Sequence, residues 1–105
     1  MTFGRWQKLA AATVPRRRGV LQARVADGLV DYPTGKSAMV YYDADDDLSH
    51  ALARLGAAVP PGADVLVRFG ECADPAQELA RKLDEFTRRF GAPPAWNGAT
   101  GTCRP

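Results

Sequence analysis

Two stretches of the chain repeat apolar residues at the 3.6-residue spacing of a helix with one buried face. In the first, Leu48, Ala51, Leu52 and Leu55 share a face; Asp45 or Asp46 supplies the N-cap, and Gly56 is the expected stop. In the second, a helix over Pro75–Phe90 turns Leu79, Leu83, Phe86 and Phe90 inward. Asp74 suits its N-cap, Pro75 its first turn, and Gln77 completes a capping-box pattern. The outer face sets acids four residues ahead of bases, the favourable orientation, in Glu78–Lys82, Asp84–Arg88 and Glu85–Arg89. Gly91 fits the position just past the end, and Pro93-Pro94 prevents continuation.

Shorter runs read as strands: Gly19–Val25, Leu29–Tyr32, Ala38–Tyr42 and Val65–Phe69. Asp27-Gly28 is a hairpin signal joining the first two, and Pro33–Ser37 is a turn. Near the start, Phe3–Ala12 is expected as a short helix burying Phe3, Trp6 and Leu9 or Ala10. Val14-Pro15 ends it, because proline disfavours helix in the residue before it. The order α-β-β-β-α-β-α predicts a small α+β domain, a mostly antiparallel sheet of three to four strands with helices packed on it. One domain covers 1–97, and Gly98–Pro105 reads as a disordered tail.

Size agrees with this picture: 105 residues and 11.3 kDa make one domain with one modest core. Apolar residues at 46% and charged residues at 25% exclude a disordered chain, a collagen-like fibre and a coiled coil. No apolar run is long enough to span a bilayer, and no secretory h-region follows Met1, so a cytoplasmic location is expected. The net charge of +2 hides a segregation. Residues 1–26 carry six bases and no acid, whereas residues 27–47 carry six aspartates against Lys36. A basic arm beside an acidic stretch suits self-complementary packing or a small anionic ligand, and makes a weak case for DNA.

Val14-Pro15-Arg16-Arg17-Arg18-Gly19-Val20-Leu21 and Val40-Tyr41-Tyr42-Asp43, with Asp47-Leu48 after it, resemble the two motifs of the GIY-YIG nuclease domain. The resemblance covers roughly residues 14–97, and Phe90–Asn97 is compatible with the ending of some stand-alone members. It implies a GIY-YIG-like α+β fold and a nuclease site without its chemistry. The first tyrosine position is Leu21, which has no hydroxyl, and the glycine of the second motif is Asp43. The helix arginine falls near Ala51, with Arg54 about a turn later; Glu78 matches the metal-binding glutamate, with Glu85 or a plain salt-bridge role as equal alternatives. Phosphodiester cleavage rests on positioning and charge stabilisation, so both losses together imply a dead nuclease.

Other motifs carry less than their patterns suggest. Gly35-Lys36-Ser37 lacks the upstream glycine of a phosphate loop, that position being Val30, and a strand follows it. Lys36 remains as an anion contact at a turn. Asp43, Asp45 and Asp47 match the first three ligands of a calcium loop, but Leu48 and Arg54 occupy its glycine and glutamate positions. A divalent metal is therefore not expected, and capping explains the aspartates. His50, the sole histidine, is either solvated or an acid/base group. Arg16, Arg17 and Arg18 are either a solvated basic connection or a grip on phosphates suited to a diphosphate, with Trp6 as a stacking platform.

Cys72 is the most specific candidate. Two cysteines make no disulfide framework, and Cys103 belongs to the tail. Cys72 lies past a strand end and two residues before the N-cap Asp74, where a helix dipole favours the thiolate. Glu71 and Asp74 oppose that shift, and a small buried apolar residue is the plain alternative. Three functions follow. The favoured one is a small enzyme, a cysteine-dependent transferase on a repurposed scaffold. Cys72 and His50 would be catalytic, with Arg16, Arg17, Arg18, Lys36, Tyr41 and Arg54 holding a phosphorylated small molecule or nucleotide. Sulfur drawn from free cysteine would need an electron sink, such as pyridoxal phosphate on Lys36 or Lys82, which nothing in the sequence demands. The alternatives are a nucleic-acid-binding remnant of a nuclease and a protein-interaction subunit.

Overall fold

The computed structural model describes residues 1–97. Six strands are present: β1 (Gln7–Lys8), β2 (Gly19–Val25), β3 (Val30–Tyr32), β4 (Gly35–Ser37), β5 (Met39–Asp45) and β6 (Val65–Glu71). Two helices follow β5 and β6, α1 (Leu48–Ala58) and α2 (Pro75–Phe90). Four strands form one sheet in the order β1-β6-β2-β5, every pair antiparallel, and β3 and β4 form a separate hairpin. The fold is α+β, as the element pattern predicts. The tail Gly98–Pro105, with Cys103, lies outside the described residues.

β2 is the centre of the sheet, paired along its length with β6 on one side and β5 on the other. Gly19 starts it because backbones converge there: a Cβ on Gly19 would stand 2.4 Å from the Gly70 carbonyl oxygen. Leu21, Ala23, Tyr41, Val65 and Val67 face α1 and close the core against Leu48, Ala51 and Leu55. A β-bulge sets Val40 opposite no residue of β2, between the pairs Ala23–Tyr41 and Arg24–Met39. Val40 and Tyr41 thereby both join the core. Val20, Gln22 and Tyr42 belong to the opposite face, where Phe86 of α2 meets the Tyr42 ring at 5.7 Å.

Helix α2 has the predicted bounds and caps. The Asp74 carboxylate accepts from the Gln77 N–H at 3.2 Å, and Gly91 closes the helix at φ 81°. Its outer ion pairs are redistributed. Asp84–Arg88 forms at 2.9 Å, but Glu78 and Glu85 both pair with Arg81 rather than with Lys82 and Arg89. Those two cations lie instead against the rings of Phe3 and Phe90.

Four local expectations are corrected. Met1–Trp6 forms no helix: the Gly4 N–H donates to the Phe69 carbonyl, Gln7 and Lys8 pair with β6, and only Leu9–Ala11 forms a 3-10 turn. The open edge of β6 supplies hydrogen bonds that a short helix containing Gly4 could not match. Gly28 turns the chain, yet β3 does not pair with β2, whose two edges are already taken by β5 and β6. It pairs with β4 around Pro33-Thr34, and the expected third strand begins at Met39 and reaches Asp45. The N-cap of α1 is Asp47, because Asp45 still belongs to β5 and accepts from the Asp47 N–H. Gly56 does not stop α1. The helix runs to Ala58, and Pro60 forces Val59 into extended geometry.

Candidate functional site

The residues expected to form one site fall into four places. Tyr41 and Arg54 meet at the outer edge of β5. The Tyr41 hydroxyl donates to Asp43 Oδ2 at 3.0 Å, and Arg54 Nε donates to the same oxygen at 2.8 Å. Arg54 Nη2 reaches Asp45 at 3.0 Å and the Ala44 carbonyl at 3.2 Å. His50 extends the cluster, 3.5 Å from Asp45 and 3.7 Å from Asp47, and Arg16 stands 3.4 Å from Asp47. Burial and then the Asp43 charge push the Tyr41 hydroxyl far above its ordinary pKa. The Asp47 N–H and Arg54 hold Asp45 below the usual carboxylate range, and Ser49 does so for Asp47.

This cluster seals an edge strand. Asn97 bonds both backbone groups of Tyr42, accepting from its N–H at 2.8 Å and donating to its carbonyl at 2.7 Å. Asp43 Oδ1 accepts from the Ala44 N–H, Arg54 covers the Ala44 carbonyl, and the Tyr32 hydroxyl donates to the Met39 carbonyl. Side chains thus occupy backbone groups that would otherwise template another strand. Arg54 is spent on two carboxylates and a carbonyl, so a phosphate would have to compete with Asp43 and Asp45 for it. Beside the cluster, Tyr41, Tyr42, Ala57, Ala58 and Leu79 wall a cleft of about 440 Å³.

Cys72 is in a second place, half-buried past the end of β6. Burial first, and then the Glu78 and Asp74 carboxylates, push its thiol up, the opposite of what a helix N-terminus does to an exposed thiolate. No lysine or histidine is among the charges acting on it. The arginine triplet diverges: Arg16 goes to Asp47, Arg17 to Glu71 at 3.5 Å, and Arg18 to the Ala73 carbonyl at 3.2 Å. These contacts pin one loop to the N-cap of α1, the end of β6 and the connection from β6 to α2. Lys36 is on the β3–β4 hairpin, 3.3 Å from Asp31, and the tip of that hairpin caps α2 through Thr34.

The face of the sheet under α2 carries a group that motif reading missed. The Arg68 guanidinium lies 4.7 Å from the Phe3 ring centroid and 4.5 Å from that of Trp6. Arg24 is 5.3 Å from Trp6 and Lys82 is 5.1 Å from Phe3. Arg68 Nε donates to Gln22 Oε1 at 2.8 Å, and Gln22 is only 5% exposed. Among the described residues, Arg24, Arg68, Lys82 and Arg89 form no ion pair, and Arg24 Nε is buried with no hydrogen-bond partner. Burial, with Arg24 adding to it, lowers the pKa of Arg68. A groove of about 240 Å³ runs alongside, lined by Gln22, Tyr42, Lys82, Glu85, Phe86, Arg89 and Phe90.

Gln22 and Arg24 alternate with apolar residues on β2, and Arg68 is paired with Gln22 across the sheet. That alternation is visible in sequence, but the pairing that joins it to Phe3 and Trp6 is not. Among the described residues, no group of three or more His, Cys, Asp or Glu side chains is arranged to hold a metal ion, and Glu78 is engaged by Arg81. No helix among the described residues is long and apolar enough to cross a membrane. No family model, no curated protein and no solved structure matches the chain.

Proposed function

We propose that this chain is a binding module for a phosphate-bearing ligand, seated where Arg24, Arg68 and Lys82 gather around Phe3 and Trp6, beside the groove under α2. The observation that carries the reading is the gathering of Arg24, Arg68 and Lys82 around Phe3 and Trp6 with no carboxylate paired to them. Like charges held together beneath partial burial repel, and an anion removes that repulsion. The aromatic faces hold the cations by cation–π attraction. Gln22 spends its carbonyl oxygen on Arg68, which leaves its amide N–H groups as donors in the groove it lines. Each charge-assisted hydrogen bond to an anion is worth about 1.5–3 kcal/mol.

The scaffold is read as GIY-YIG-like but without cutting chemistry. A central strand over Gly19–Val25 paired with β5, and a helix after β5, support the scaffold. Fully buried Leu21 and Ala51, at the tyrosine and arginine positions, support the loss of chemistry. The elevated Cys72 thiol speaks against a thiol enzyme, so the reading assigns no bond-making step.

Free nucleotides and the phosphates of a nucleic-acid strand share this chemistry, and titration calorimetry with AMP, ADP and a short single-stranded oligonucleotide at two salt concentrations separates them. Saturable binding that weakens about tenfold or more in Lys82→Gln and Arg24→Gln supports the reading. An oligonucleotide far tighter than ADP, with log K falling about 0.7 per contacted phosphate against log salt, assigns the ligand to nucleic acid. No binding of any of the three at millimolar concentration overturns it.

A further inference from the structure

We infer that the cleft at the outer edge of β5 is a second, separate ligand site, one that takes an uncharged and largely apolar small molecule carrying a hydrogen-bond acceptor. Its volume of about 440 Å³ falls within the range of roughly 300–1,000 Å³ typical of small-molecule sites. The walls are aromatic and aliphatic, with Tyr41 and Tyr42 from β5 and Leu79 from α2. Ala57 and Ala58 of α1 line it with small side chains, so a bulky residue there would narrow it.

The polar end of the cleft sets the charge of the occupant. Asp43 already accepts three hydrogen bonds, Oδ2 from Tyr41 and Arg54 and Oδ1 from the Ala44 N–H, and its charge is paired with Arg54, so it offers a cation little. Asp43 and Arg54, the charged residues that line the cleft, offset each other at 2.8 Å, and Asp45 also holds Arg54 at 3.0 Å, so an anion would have to compete with two carboxylates for it. One donor remains. Arg54 Nε and Nη2 are engaged, and Nη1 has no partner among the described residues. A neutral carbonyl or ether oxygen satisfies Nη1 without breaking the pairs around it. The ligand chemistry is the reverse of that in the cationic groove, where donors dominate and anions are favoured. This inference does not depend on that reading.

The probes are 2-naphthamide and 2-naphthoate, which have the same shape and differ in charge. In a titration of the full chain followed by amide chemical shifts, 2-naphthamide is expected to shift Tyr41, Asp43, Ala57 and Ala58 saturably. 2-Naphthoate is expected to bind there at least about tenfold more weakly, the equivalent of about 1.4 kcal/mol. Ala57→Trp, at an exposed position, fills the mouth and removes the shifts. Shift mapping on the unsubstituted chain decides the question even where that variant perturbs folding. Equal binding of both probes at the cleft, shifts confined to other regions, or no shifts at millimolar probe each overturn the inference. A chain that fails to bind ADP but passes this test loses the phosphate reading and keeps this site.

Discussion

Replacing Arg54 by alanine tests whether the Tyr41–Asp43–Arg54 cluster is structural. The substitution removes the 2.8 Å bond to Asp43 and the 3.0 Å bond to Asp45, and leaves the Ala44 carbonyl without its side-chain cover. A charge-assisted hydrogen bond contributes about 1.5–3 kcal/mol, but the Arg54 side chain is 47% exposed, and solvent screening reduces its share. The Asp43 side chain, only 15% exposed, keeps its charge with one partner fewer. The expected loss is about 2 kcal/mol, which lowers Tm by about 8–16 °C in a domain of this size. Arg88→Ala removes an ion pair with both side chains well exposed and should stay within about 0.5 kcal/mol. Urea unfolding of both variants, with sedimentation velocity to detect association through the uncovered β5 edge, makes the comparison. An Arg54→Ala protein as stable and as monomeric as Arg88→Ala would refute the edge-sealing role.

Four further outcomes are expected, the first three at the same edge of the sheet. Asn97→Ala leaves both Tyr42 backbone groups uncovered and should cost about 1–2 kcal/mol with increased self-association, read by urea unfolding and light scattering. Asp45 and Asp47 have folded-state pKa values below their unfolded ones; their stabilisation is present above about pH 4 and is lost as pH falls through the lowered values, so Asp45→Asn should flatten the acid limb of stability against pH. Tyr41 runs the other way: its pKa is raised on folding, so stability holds below about pH 10 and falls above it, and Tyr41→Phe should remove that part of the alkaline decline. Alkylation of Cys72 should be slower at neutral pH than that of an unstructured thiol, and should speed up in Glu78→Gln, whereas a fast, low-pH titration would restore the thiol-enzyme reading.

What could be read in the sequence follows the range of the interaction that decides it. Helix α2 is written locally, in Asp74, Pro75, Gln77 and Gly91 at its ends and in an apolar face between them, so its bounds follow from sequence. β2 is equally plain because Val20, Leu21 and Ala23 are buried whichever strands flank it. Pairing is not local. Asp27-Gly28 does make a turn, but the competition between β3, β5 and β6 for the edges of β2 is settled by Val40, Tyr41, Val65 and Val67. Phe3 and Trp6 have helical spacing and are nonetheless not helical, because β6 binds the backbone of Gly4, Gln7 and Lys8 beside them and Arg68 lies against their rings. The candidate site suffered most from this. Arg16, Arg17 and Arg18 catch the eye as a run, but each answers a different local partner. Arg24, Arg68 and Lys82 are scattered in sequence and converge only through the sheet.

The claim that the cationic face is a phosphate seat is tested most directly by locating a bound anion. Inorganic pyrophosphate can be titrated into the full chain while NMR follows the Gln22 side-chain amide and the arginine Nε–H groups. The Gln22 amide and the buried Nε–H of Arg24, which has no hydrogen-bond partner among the described residues, are predicted to shift together and saturate. Movement confined to Arg16, Arg17, Arg18 and Lys36, or none at millimolar pyrophosphate, would contradict the account.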